Sequence, residues 1–202
     1  MFVGGTDTTA AALEWAMSEL VRNPIIMKKV QEEVRTVVGH KSKVEENDIS
    51  QMQYLKCVVK ETLRLHLPTP LLPPRVTMSN VKLKGFDIPA KTMVYINAWA
   101  MQRDPKFWER PEEFLPERFE NSKVDFKGQE YFQFIPFGFG RRGCPGMNFG
   151  IASVEYLLAS LLYWFDWKLP ETDTQDVDMS EIFGLVVSKK VPLLLKPKTF
   201  SF

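Results

Sequence analysis

Residues 134–150, Phe-Ile-Pro-Phe-Gly-Phe-Gly-Arg-Arg-Gly-Cys-Pro-Gly-Met-Asn-Phe-Gly, constrain this chain more than any other stretch. Four glycines, Gly138, Gly140, Gly143 and Gly146, let the backbone turn tightly and approach a flat ligand closely. Pro145 follows Cys144 at once, and an apolar segment of helical period, Phe149 to Phe165, begins just after. Proline suits the first turn of a helix, so the pattern predicts Cys144 at a helix N-terminus. There the helix dipole and the cations Arg141 and Arg142 favour thiolate over thiol. A thiolate held so is a metal ligand or a nucleophile. A lone cysteine is more often a small, inert core residue. Two adjacent arginines are a poor setting for that role.

The rest of the composition removes alternatives. The chain has 202 residues, 45% hydrophobic and 25% charged, enough for one globular unit with a sizeable core. A net charge of +1 points to no nucleic-acid partner. The two cysteines, Cys57 and Cys144, are far apart, which argues against a disulfide scaffold or a Cys/His zinc site. No apolar run is long enough to span a bilayer, and no signal peptide is visible. Most of the fourteen prolines fall between Pro68 and Pro145, a middle region of turns and extended segments.

Phe137, Gly140, Arg142, Cys144 and Gly146 read F-x-x-G-x-R-x-C-x-G. This resembles the heme-binding signature of cytochrome P450 monooxygenases, and the run Pro136 to Gly146 is similar to the version in plant members. Five fixed positions in ten residues make the match specific. Near the other end, Gly4-Gly5-Thr6-Asp7-Thr8-Thr9 resembles the family's distal-helix motif. Taken alone, Asp7-Thr8-Thr9 would read as a helix cap. Gly4-Gly5 within a periodic pattern that runs through Ala12, Leu13, Ala16, Met17, Leu20 and Val21 costs the helix about 1 kcal/mol per glycine. Close approach of a ligand to the helix backbone is one gain that offsets it.

A second helix opens at Pro24, with a stripe of Ile25, Ile26, Val30, Val34 and Val37. Gly39 to Asn47 reads as a loop, Asp48 as the cap of a short turn, and about Gln53 to Leu67 as a further helix. Glu61 and Arg64 lie three apart on that helix, which by itself fits an exposed ion pair of a few tenths of a kcal/mol. Glu61-Thr62-Leu63-Arg64 also resembles the family's E-x-x-R pair, and Pro116-Glu117-Arg118-Phe119 its P-E-R-F stretch. The resemblance implies a buried network of Glu61, Arg64 and Arg118. Pro68 to Arg75 is expected to be extended, since proline excludes helix there. Arg75 matches the arginine that meets a heme propionate in relatives. Leu71 and Leu72, with Phe183 and Leu185 of the apolar turn 182–185, are expected at a substrate pocket.

Val76 to Asn97 is expected to form a small antiparallel sheet around the turn Lys84-Gly85-Phe86-Asp87. A long aromatic-rich irregular stretch then runs to the cysteine loop. After the last helix, Phe165 to Leu169 and Val186 to Leu195 read as strands. The fold class is mainly α with small antiparallel β-sheets (α+β), the C-terminal part of a cytochrome P450 fold, with residues 1–202 as one heme-binding portion.

The resemblance implies heme b (iron protoporphyrin IX) bound through Cys144, with Gly4, Gly5, Arg75, Phe137, Arg142 and Gly146 around it. Asp7 and Thr8 would be the acid and alcohol that deliver protons. Dioxygen and a small lipophilic substrate would react, with electrons from NADPH through NADPH–cytochrome P450 reductase. The basic loop Lys127 to Arg142 could face an acidic reductase. A full-length parent would sit on the cytosolic face of the endoplasmic reticulum membrane, in contact with it only through an N-terminal part that this chain lacks. Met1 would then be an internal methionine. One alternative is a truncated, non-catalytic fragment that binds heme weakly or not at all. Another is a cysteine-nucleophile hydrolase, which needs a histidine base beside Cys144. Only His40 and His66 are available.

Overall fold

A computed structural model describes residues 2–126, 131–170 and 176–201. Helix α1 (Phe2–Arg22) buries Ala12, Ala16 and Leu20, one residue per turn. It stops where Asn23 folds its amide back onto the Glu19 carbonyl, and Pro24 opens α2 (Pro24–Val38). α2 faces the core with Met27, Val30, Val34 and Val38. Within the expected loop 39–47 a one-turn helix begins, α3 (Glu46–Ile49). Asp48 does cap it, but from the third helical position: its carboxylate takes the Glu45 amide at 3.0 Å while Glu45 caps in return.

Helix α4 (Gln53–Leu65) has no capping side chain of its own. Its N-terminus is capped by another helix, because Glu33 on α2 accepts from the amides of Tyr54 and Leu55, both at 2.8 Å. A carboxylate at that end also suits the helix dipole. α4 ends two residues before the expected Leu67. Leu67 precedes Pro68, which disfavours helical backbone for it.

Helix α6 (Met147–Trp164) packs directly against α1, α2 and α4, burying Val154, Leu158, Leu162 and Tyr163. The short α5 (Ala98–Met101) precedes an irregular run whose regular pieces, among the described residues, are two 3-10 turns, Pro116–Phe119 and Gly140–Arg142. Aromatic contacts hold this run to the core: Trp108, Phe119, Phe134, Phe126 and Phe137 meet in sequence at ring distances of 5.2–6.2 Å.

Among the described residues the strands form four separate antiparallel pairs. The expected sheet over 76–97 is two of them. β1 (Arg75–Val76) pairs with β4 (Met93–Val94), and β2 (Val81–Leu83) pairs with β3 (Phe86–Ile88) across Lys84-Gly85, both at positive φ. The segment 68–75 is only partly extended: the Leu72 amide bonds back to the Thr69 carbonyl and Leu72 itself has a φ of 49°. At the C-terminus the expected strand 186–195 is not continuous. β6 (Glu181–Ile182) pairs with β7 (Ser188–Lys189), while β5 (Phe165–Lys168) pairs with β8 (Lys196–Thr199) further on. Pro192 has no N–H for a ladder and falls in the gap. No helix among the described residues is long and apolar enough to cross a membrane.

Candidate active site

Cys144 is exposed, at the end of the glycine loop. Gly138 and Gly140 hold φ values of 69° and 71°, a left-handed backbone that disfavours any side chain with a Cβ. Gly143 is tight in a different way, since an added Cβ would lie 3.2 Å from the Gly140 carbonyl oxygen. The Cys144 amide donates to the Phe137 carbonyl at 2.8 Å, closing the loop on itself. Phe137 is half-buried and edge-on to Phe126, so the loop's first residue is anchored in the aromatic cluster. Pro145 stands ahead of the capping residue Gly146, outside the first turn where the sequence had suggested it. Arg141 and Arg142 are exposed.

Glu61, Arg64 and Arg118 meet. Glu61 and Arg64 are both 0% exposed, which excludes the reading as a surface ion pair. Arg64 donates from Nε to Glu61 Oε2 at 2.8 Å and from Nη2 to Oε1 at 2.9 Å. Its remaining donors reach the carbonyls of Gln102, Pro111 and Glu113. Glu61 Oε1 also accepts from Arg118 Nε and from the Leu115 amide, both at 2.9 Å. The fork-to-fork pair and the three carbonyls together satisfy the buried guanidinium.

α1 is continuous through Gly4 to Thr9. Asp7-Thr8-Thr9 lies inside the helix, which removes its reading as a cap. The hydroxyls of Thr8 and Thr9 donate to the carbonyls of Gly4 and Gly5, at 2.8 and 2.9 Å. An added Cβ on Gly4 or Gly5 would meet nothing within 4 Å, and Asp7 is exposed beside them. This is an open helix face.

Arg75 is half-buried at the start of β1, and its Nε is buried with no hydrogen-bond partner among the described residues. A buried donor without an acceptor is costly, so the position suits an anionic group that approaches from outside the chain. The leucines divide. Leu71 is exposed, whereas Leu72 belongs to a small core with Leu67, Ala98 and Ile135 and lies against Gly138. Leu72 therefore packs beneath the loop. Phe183 and Leu185, at the tip between β6 and β7, are 76% and 77% exposed.

A chain of contacts links these elements. α1 packs on α6 and also holds the C-terminal hairpin, through Glu14 accepting from the Leu193 amide and Lys189 lying over the Trp15 ring. The hairpin bonds to the Pro68 carbonyl through the Val187 amide, and Leu72 then touches the cysteine loop. His66 is not available to Cys144 as a base. It stacks on Trp15 at 4.2 Å and bonds Glu19 at 2.7 Å. Two contributors carry no sequence signal: Glu33, which caps α4 from another helix, and Gln102, buried in the irregular run.

One exposed thiol in a glycine loop, a buried arginine donor without an acceptor and an open glycine face fit a flat, iron-bearing ring with carboxylate edges. The comparisons agree. The chain is 61% identical over its whole length to phenylacetaldehyde oxime monooxygenase of Prunus mume. It is 62% identical over 98% of its length to cytochrome P450 71A1 of Persea americana, and 54% identical over 97% to desmethylyatein synthase of Sinopodophyllum hexandrum. It spans about 39% of the length of the first two relatives and 40% of the third. The family model for cytochrome P450 matches residues 1–197, and with the buried Glu61–Arg64–Arg118 network and the Cys144 loop in place, this chain belongs to the cytochrome P450 family.

Proposed function

We propose that the chain is the heme-binding portion of a monooxygenase in which the Cys144 thiolate would hold the heme iron. The observation that carries this is the exposed Cys144 at the end of a loop whose backbone is held by its own hydrogen bond and by Phe137. A thiolate-ligated heme b, when bound, supplies oxygen activation, because the sulfur pushes electron density that favours O–O cleavage. The chain's residues do the rest. Arg75 would offer its Nε–H to a propionate. Arg142, Gly146 and the Phe137 ring would hold the heme beside Cys144, and Gly4 and Gly5 would leave room for it. Asp7 and Thr8, an acid and an alcohol one residue apart, would hold and pass protons from solvent there.

A small lipophilic substrate would lie against Leu71, Phe183 and Leu185. Electrons would come from NADPH through NADPH–cytochrome P450 reductase, docking near the exposed Arg141 and Arg142. Lys127, the start of the expected docking loop, is outside the described residues. The parent protein would lie at the endoplasmic reticulum membrane. A second reading, that the isolated chain binds heme weakly, has support in large exposed apolar side chains such as Phe149, Phe183, Leu185 and Met78.

The test is the ferrous carbon-monoxide spectrum of the heme-loaded protein. A thiolate-type band is expected from the wild type and none from Cys144→Ser. An unchanged band in Cys144→Ser would overturn the assignment. Heme titration of the 202-residue chain separates the second reading, since weak, substoichiometric uptake would favour it.

A further inference from the structure

Gln102 is 0% exposed and sits where α5 ends, far in sequence from both the ion network and the cysteine. A buried amide must satisfy four hydrogen-bonding positions, and its orientation follows from its neighbours. Nε2 donates to the carbonyls of Leu63 and Arg64, both at 3.0 Å, and Oε1 accepts from the Ile135 amide at 3.2 Å. The flipped amide would set oxygen against two carbonyls and N–H against N–H, so only one orientation is possible. The main chain of Gln102 is tied as well: its amide donates to Ala98 O at 2.9 Å, and its carbonyl accepts from Arg64 Nη1 at 2.9 Å.

Gln102 therefore bonds the last turn of α4 and the first residues of the cysteine loop with one side chain. From Ile135 the order continues inward. The Ile135 carbonyl accepts from Gly138 at 2.9 Å, and the Phe137 carbonyl accepts from Cys144 at 2.8 Å. No other hydrogen bond described between α4 and residues 134–144 does this. The Glu61–Arg64 pair reaches the irregular run at Gln102, Pro111, Glu113, Leu115 and Arg118, but not the loop itself.

We infer that Gln102 is a positioning residue that sets the register of the cysteine loop against α4, and so the placement of Cys144. The inference rests on Cys144 being the ligand only for its spectral consequence; the tie between α4 and the loop stands without it. Gln102 acts through the Ile135 amide and touches no reacting atom.

Two variants test it. Gln102→Met keeps the shape and removes every side-chain bond. Gln102→Glu keeps an acceptor for Ile135 and loses the donors to α4. Amide hydrogen exchange is followed separately for residues 134–144 and for α4. In Gln102→Met the loop is expected to exchange about tenfold faster or more, with α4 changed much less. In Gln102→Glu the order is reversed, with the loop kept and the end of α4 loosened. The heme-loaded Gln102→Met protein is expected to lose part of its thiolate-type carbon-monoxide band to the form lacking the thiolate, and Gln102→Glu to retain more of it. Equal acceleration in both regions, or none in either, would overturn the inference. So would an undiminished thiolate band in Gln102→Met with loop exchange unchanged. If Gln102→Met does not fold, the contrast in Gln102→Glu decides. A wild type without a thiolate band would sink the ligand assignment, and the exchange data would still decide the role of Gln102.

Discussion

The α4 network and two exposed elements, the Cys144 loop and the start of α1, are opposite solutions within one chain. The Arg64 guanidinium and the Glu61 carboxylate find all their partners inside the protein. Elsewhere, Cys144 and Asp7 are exposed, the space over Gly4 and Gly5 is open, and a buried donor of Arg75 has no acceptor among the described residues. The first region stores cost if any member is removed. The second stores unused chemistry. The two cysteines show the same contrast. Cys57 is buried on α4, and burial, with the Glu120 carboxylate adding to it, pushes its thiol up to about 11, whereas Cys144 is exposed.

The largest effect expected is from breaking the satisfied region. Arg64→Ala leaves Glu61 buried and charged, at a cost of about 3–5 kcal/mol, a large share of the stability of a domain. The protein should fail to fold or to take up heme, as read by circular dichroism and absorbance. A folded, heme-loaded Arg64→Ala protein would erase the distinction between the regions.

Next are the distal residues, which should alter chemistry and leave the fold alone. In a complete enzyme with its reductase, Asp7→Asn is expected to slow turnover by about a hundredfold, the size of a lost proton donor. Thr8→Ala should keep consuming NADPH while releasing the electrons as peroxide. Its hydroxyl bond to Gly4 is on an exposed helix, so melting should barely move. Unchanged coupling in Thr8→Ala would show that its hydroxyl serves only the helix.

Cys57 gives a smaller and pH-dependent effect. Cys57→Ala should cost around 1 kcal/mol at neutral pH, a packing term. The folded thiol, at about 11, holds its proton well above 9.0, the ordinary value for a cysteine. Between those values the unfolded chain binds fewer protons than the folded one, so stability falls as pH rises through that window. Urea midpoints at pH 8.5 and 10.5 should show a shallower alkaline loss in Cys57→Ala than in the wild type. Equal losses would mean that the thiol titrates normally.

The smallest effect concerns Glu155 on α6. Burial raises its carboxyl above the usual range, only partly offset by Lys56 and Lys60. A raised folded value means stability that is present at acid pH and lost as pH rises through the carboxyl range. Glu155→Gln should therefore raise the melting temperature at neutral pH slightly, on the order of 1–2 °C. Destabilisation instead would reveal an essential charge in the core.

Much of this could be read from the residues in order. Helical periods located α1, α2, α4 and α6 to within a few residues, because an apolar stripe against a core is a local property. The spacing around Cys144 and the Glu61–Arg64 interval are local too, which is why short motifs carried the family. Other features could not be read, since they depend on residues brought together from far apart. Burial turned an i,i+3 pair into a core network when Arg118 and three distant carbonyls arrived. The cap of α4 lies on α2, in Glu33, so its own first turn gave no sign of it. Val186 to Leu195 looked like one strand from composition, but pairing chose Lys196–Thr199 as the partner of β5. Thr8 and Thr9 have the chemistry of a cap, yet a continuous α1 drew their hydroxyls onto Gly4 and Gly5. Sequence by itself determined the helices and the identity of the reactive groups, through periodicity and chemical type. Only the tertiary structure decided which groups are satisfied and which are left open, because hydrogen-bond partners are chosen by position in space.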